Sequence, residues 1–230
     1  MKRINVQWGI GLVVVAIVLS GLSCAHRNLE KKDTVVTPVE HEKMIEQYRK
    51  GVEESKKIVV ARVNGVAITL NDLLDRMNRI APSYLAHGLP RTPEIDQKVK
   101  QEALDVLIFR ELAVQEAGRE GMKVDPEAVE LAIETFKEDV GSEDAYRDYL
   151  RKRDITEETL KKEVERNGLF DMIAAKEILQ KVKAEEDREE AVDRRKEEWE
   201  AELKKNATIE ITLDAVEKKM LEDARKGNKE

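Results

Sequence analysis

The chain has 230 residues, 41 Lys+Arg against 48 Asp+Glu and a formal net charge of −7. It is acidic and lacks a basic cluster set among aromatics, which argues against nucleic acid as a partner. One cysteine excludes an intrachain disulfide, and three scattered histidines give no metal-ligand spacing, so no cofactor or metal is expected. A charged fraction of 39% beside 4% aromatics predicts helices with narrow buried stripes and broad solvated faces.

At the N-terminus, Lys2 and Arg3 precede an apolar run from Ile10 to Leu22. The run is too short to span a bilayer comfortably and suits the hydrophobic region of a signal peptide. It ends in Gly21-Leu22-Ser23-Cys24, which resembles a bacterial lipoprotein signal. That resemblance implies cleavage before Cys24, acylation of the cysteine and anchoring by two or more acyl chains. Gly21 departs from the pattern, which usually carries Leu three residues before the cysteine. Ordinary secretory cleavage near Ser23 and an uncleaved N-terminal anchor are the alternatives. Ala25 in place of Asp favours, by the same resemblance, the outer membrane and hence a periplasmic location. Residues 1–23 are thus expected to be the signal peptide, and 24–36, polar and without pattern, a tether. Removing 1–23 takes away two of the 41 basic residues and none of the 48 acidic ones, leaving a net charge of −9.

The next expected elements run from 37 to 213. Thr37-Pro38-Val39-Glu40 is a capping box opening a helix with Val39, Ile45, Tyr48 and Val52. Asn64-Gly65 suits a type I′ turn, which predicts a hairpin pairing Val63 with Val66, Ala61 with Ile68 and Val59 with Leu70. All six are apolar and fall on one face, with Arg62 and Thr69 on the other. A lone hairpin is marginal in water. Ala207–Leu213, alternating Ile209, Ile211 and Leu213 with polar residues, is the expected third strand. Strands are therefore placed near 58–63, 66–70 and 207–213. A helix with Leu70, Leu73, Leu74, Met77 and Ile80 on one face follows the hairpin, and the loop Ala81–Pro93 is expected to break it.

Thr92-Pro93-Glu94 starts a long helix burying Val99, Ala103, Val106, Leu107, Ala113 and Val114, which stops at Gly118–Gly121. Asp125-Pro126 opens another. Ile155-Thr156 precedes a helix reaching Val182, expected to be interrupted or kinked near Asn167-Gly168. Lys183–Lys205 is charged, yet Val192, Trp199 and Leu203 share a stripe, so it reads as a helix lying on the domain. A short helix from Leu213 to Arg225 and a polar tail complete residues 214–230.

The order of these signals resembles the N-terminal domain of SurA-type periplasmic chaperones, of the SurA/PpiC/PrsA group. The resemblance rests on the strand–Asn-Gly–strand start, on Leu104, Asp105, Leu107, Ile108, Leu112, Gln115, Glu116, Ala117 and Gly121, and on the Asp125-Pro126-Glu127 helix start. It extends to Glu197–Ile211, similar to the helix and strand that close such domains. It implies a mainly α fold with a small antiparallel β element. In isomerase-bearing relatives a parvulin-type domain precedes the closing helix. Here Lys183 runs almost directly into Asp187–Lys205, with no His-Ile-Leu start, no Gly-Gly-x-Leu-Gly and no paired histidines. The chain is accordingly expected not to be an enzyme. The carboxylate runs are those of a solvated face, no activated nucleophile is in evidence, and no phosphate-cradling loop occurs.

The resemblance implies binding of unfolded or nascent envelope polypeptides, including outer-membrane proteins, by a membrane-anchored holdase without prolyl isomerase activity. Such a site needs adaptable apolar side chains exposed within a polar rim. The candidates are Met77, Tyr84, Leu85, Leu89, Phe136, Phe170 and Met172, each of which could equally serve ordinary packing. The acidic charge would favour basic client segments. A structural or assembly lipoprotein accessory to an envelope export system is the alternative, and a prolyl isomerase the weaker one.

Overall fold

The computed structural model describes residues 50–89, 92–182 and 188–227. Cys24, the signal region, the tether and the Thr37–Glu40 capping box lie outside the described residues. Two compact units divide the chain. Among the described residues, the smaller comprises Asp125–Glu165, and the larger comprises the segments before and after it.

In the larger unit, residues 50–57 form helix α1, followed by β1 (Val59–Val63) and β2 (Val66–Thr69). The Asn64-Gly65 turn forms as expected, with φ of 50° and 85° at its two centres. Val63 pairs with Val66 and Ala61 with Ile68. The expected pairing of Val59 with Leu70 is corrected: a bulge between Val59 and Ala61 sets Val59 opposite Thr69. The bulge also turns Val60 into the core beside Ala61 and Val63, all three fully buried. The six-residue apolar face is correspondingly broken, and Val66 is exposed.

The third strand, β3 (Ile209–Ile211), pairs antiparallel with β1 as expected, giving the order β2-β1-β3. Ile211 faces Ala61 and Ile209 faces Val63. Asn64 ties the turn to this strand. Its backbone N–H donates to Thr208 O, and its side-chain oxygen accepts from Thr208 N–H, each at 2.8 Å. Its amide donates to Gln115 at 2.8 Å. Gln115 in turn donates to Val63 O and to the buried Glu111.

Helix α2 (Leu70–Ala86) starts with a capping box in which Thr69 and Asp72 exchange bonds. The expected break at Ala81 does not occur, because the helix continues through Pro82 for one more turn. Pro82 is exposed and the carbonyl it leaves unbonded belongs to the exposed Asn78, so water can satisfy it. The loop that remains is short.

Helix α3 (Pro93–Arg119) is capped by Thr92, whose hydroxyl accepts from Ile95 N–H. It is the centre of the core. The expected stripe is incomplete: Leu104, Ile108, Phe109, Leu112 and Ala117 are buried as well as Val99, Ala103 and Ala113, while Val106, Leu107 and Val114 are only half-buried. A helix covered on several sides does not show a single apolar stripe.

The smaller unit contains α4 (Pro126–Val140), α5 (Glu143–Arg153) and the first part of α6 (Glu157–Ala174). Asp125 caps α4 with its carboxylate accepting from Glu127 N–H. Its apolar centre is Ile133, Tyr146 and Leu160, with Phe136, Tyr149 and Ile155 around them.

The interruption expected at Asn167-Gly168 is corrected. Helix α6 continues through these residues, and the break in α-helical pairing comes later, as a π-helical turn at Ala175–Leu179. Gly168 serves packing instead: a Cβ there would meet Val124 Cγ2 at 2.9 Å. Beyond the π turn, α7 (Arg188–Lys205) buries Ala191, Trp199 and Leu203. Arg195 fastens α7 to that turn by donating to Glu177 O at 3.0 Å. Helix α8 (Leu213–Gly227) follows β3. No described helix is long and apolar enough to cross a membrane.

Candidate functional site

In the larger unit, the end of α2, the first part of α3 from Lys98 to Phe109 and the middle of α7 line an open groove of about 380 Å³. Its apolar floor is Tyr84, Val106 and Phe109, and its rim carries Lys98, Glu102, Asp105, Lys196 and Glu200. The floor is held from behind. Phe109 meets Trp199 edge-on at 5.2 Å and Phe170 edge-on at 5.9 Å, a geometry that aromatic quadrupoles favour. The Tyr84 hydroxyl donates to Glu102 at 2.7 Å, and that bond raises the phenol above its ordinary range. The rim thus mixes cations with carboxylates around an apolar base, an arrangement suited to contacts with extended or partly folded chain.

Tyr84 lines this groove and Leu89 is fixed beside it, its N–H bonded to Tyr84 O. Leu85 is 57% exposed and Leu89 41%, so the α2–α3 connection presents apolar surface next to the opening. Met77 and Phe170 are half-buried against the core, where Phe170 supports the groove through Phe109. Met172 is exposed on α6. Phe136 belongs to the smaller unit, with its ring 4.7 Å from that of Tyr149 and 6.1 Å from that of Tyr146. Tyr84, Leu85 and Leu89 therefore come together, Phe170 stands behind them, and Phe136 lies in another body.

Phe109 and the charged rim are the part that sequence reasoning misses. Phe109 sits in the Leu-Ile run of α3 and reads as one more core position. Its signal is the match with Trp199, the single aromatic of the closing helix.

Among the described residues, no cluster of His, Cys, Asp and Glu could hold a metal ion. Comparison with curated proteins gives no match. A family comparison matches residues 1–174 to the SurA-like N-terminal domain, a stretch that ends with α6 and leaves α7, β3 and α8 beyond it. That stretch is well over half of the chain and includes the hairpin, α2 and α3, and the protein belongs to the family of SurA-like N-terminal domains.

Proposed function

We propose that the protein is a membrane-anchored periplasmic chaperone, a holdase that binds unfolded or nascent envelope polypeptides and does not isomerise proline. The observation that carries this reading is the groove over Tyr84, Val106 and Phe109, with Leu85 and Leu89 exposed beside it. Weak, side-chain-tolerant binding needs that combination of apolar floor, exposed aliphatic neighbours and polar rim. Family membership supports polypeptide binding in general. The lipid anchor on Cys24 rests on the signal pattern in the sequence, and absence of isomerase activity rests on the missing parvulin motifs.

Aggregation assays with several unrelated unfolded outer-membrane proteins test the proposal. The expected result is protection at near-stoichiometric ratios, reduced severalfold by the double substitution Leu85→Asp and Leu89→Asp with no loss of thermal stability. Protection of none of them, together with capture of one fixed envelope partner, would replace the chaperone by an accessory lipoprotein. A proline-peptide assay should show no rate increase. Cys24→Ser should release the protein from membranes.

A further inference from the structure

The chain contains two Asn-Gly pairs, Asn64-Gly65 in the hairpin turn and Asn167-Gly168 inside α6. Asparagine is a thermally labile residue, and a following glycine leaves the next backbone nitrogen unscreened by any Cβ. That nitrogen can attack the side-chain amide and expel ammonia. The two pairs sit in opposite settings. Gly168 lies within a helix and against Val124, where ring closure needs the helix to open. Gly65 is exposed at a φ of 85°, and beyond its chain neighbours no atom lies within 4 Å of where a Cβ would stand. Water therefore reaches the turn.

What restrains Asn64 is the pair of bonds made by its own side chain. Its Oδ1 accepts from Thr208 N–H and its Nδ2 donates to Gln115 Oε1, each at 2.8 Å. Attack by the Gly65 nitrogen requires the carboxamide to turn its face toward that nitrogen, which breaks both bonds. Neither partner is local: Gln115 lies 51 positions along the chain and Thr208 144 positions along it. An unfolded chain, or one whose closing strand is detached, carries the same Asn-Gly pair without this hold.

We propose that Asn64-Gly65 is a self-modification site, a deamidation centre that the closing strand holds inactive. The Gly65 nitrogen gives its proton to solvent and bonds to Asn64 Cγ. The Cγ–Nδ2 bond breaks, and ammonia leaves with its third proton taken from solvent, which closes a succinimide ring. Water then opens the ring at either carbonyl, giving aspartate or isoaspartate. No oxidant or reductant takes part. Either product removes the Nδ2–H donor and adds a negative charge at the turn. Gln115 cannot reverse its amide in response without giving up Val63 O at 3.1 Å and the buried Glu111 at 2.7 Å, and taking a donor from a buried carboxylate is costly. Isoaspartate also lengthens the turn by one backbone atom, which its two-residue geometry does not accommodate. Modification thus loosens β3, and the change is one-way.

Peptide mapping by mass spectrometry on the full chain, kept in warm and mildly alkaline buffer, reads both Asn-Gly pairs in one experiment. In the folded parent, Asn64 should convert about tenfold or more slower than in the urea-unfolded chain, a factor that one hydrogen bond supplies. Gln115→Leu removes the acceptor from one end of the amide, and Thr208→Pro removes the donor from the other. Each should raise the Asn64 rate severalfold and leave Asn167 unchanged. Asn167 is the reference for global unfolding, so acceleration at both positions together would overturn the hold in favour of a weakened fold. Equal Asn64 rates in the folded and unfolded parent, or no change in either variant, would also overturn it. Asn64→Asp supplies the first product directly. Amide exchange at Thr212, whose N–H donates to Val60 O at 2.9 Å, should then quicken severalfold. Unchanged exchange there would overturn the loosening of β3.

Discussion

The larger unit and the smaller one bury their apolar residues by different means. In the larger, α3 is surrounded by residues drawn from both ends of the described chain: Val60 and Leu73 from one side, Ile173, Trp199 and Leu213 from the other. In the smaller, a continuous stretch folds on itself around Ile133, Tyr146 and Leu160. Ion pairs of Lys137 with Glu134 and Glu157, and of Arg153 with Glu163, form its outer layer. Such exposed pairs contribute little each. The groove stands on the part of the protein with the deepest core, while the smaller unit depends on local contacts. Opening free energies should differ accordingly. Amide hydrogen exchange should find α3 protected close to the global limit and α4 and α5 exchanging through smaller openings. Equal protection in the two units would abolish the distinction.

The largest single effect is expected at Trp199. Trp199→Ala removes the ring that meets Phe109 and should cost about 3–5 kcal/mol, read from the denaturant midpoint. It should also weaken client protection, because the groove floor loses its support. A loss below 1 kcal/mol would show that α7 is peripheral. Next comes Asn64. Asn64→Ala sacrifices both a positive-φ residue and the clamp on Thr208, and should cost about 2 kcal/mol. Asn64→Gly keeps the turn and loses the clamp alone, so its cost should be about half of that. If the two substitutions are equal, the clamp and not the turn holds the sheet.

These two positions also show how far the sequence could be read. The Asn-Gly turn with flanking apolar alternation was visible because hairpin chemistry is local, and the partner strand at Ile209–Ile211 because its alternation matched. The bulge at Val59, by contrast, depends on what lies beneath Val60, and no local pattern records it. Pro82 and Gly168 misled in the same way: each breaks helices by propensity, yet α2 and α6 continue through them, Pro82 because it lies exposed near the helix end and Gly168 because it packs against Val124. The separation of α4 from α5 at Gly141, capped by Ser142, was hidden among uniformly charged residues. At the candidate site, Tyr84, Leu85 and Leu89 were legible as apolar residues where a simple connection needs none. The charged rim was not, since lysines and glutamates occur everywhere in this chain.

Gly168 offers a smaller test. Gly168→Ala should cost about 1–2 kcal/mol by crowding Val124, and Val124→Ala should restore part of the loss in the double variant. Strict additivity would mean that the contact is relaxed in solution. The smallest effect lies in the smaller unit. Tyr146 has a buried hydroxyl without a hydrogen-bond partner, and burial, then the Glu157 carboxylate, push its phenol from 10.0 up to about 12. The folded state therefore keeps this proton at pH values where the unfolded chain releases it, so the stability contribution is full below pH 10 and is lost between pH 10 and about 12. Tyr146→Phe should change neutral-pH stability by about 1 kcal/mol or less and remove that part of the alkaline slope. An unchanged slope would assign the alkaline loss to other groups.

The bond between Asn64 and Thr208 spans 144 positions of the chain. A ribosome adds about 5–20 residues per second, so β1 waits on the order of 10 s during synthesis before its second neighbour exists. Throughout that interval one edge of β1 offers unpaired backbone to any other strand nearby. A chain cut short after Lys205 would keep that edge permanently, and should be recovered as aggregate where the full chain is recovered soluble. The protein proposed here to shelter unfinished chains is thus itself, until its last strand arrives, an unfinished chain of the same kind.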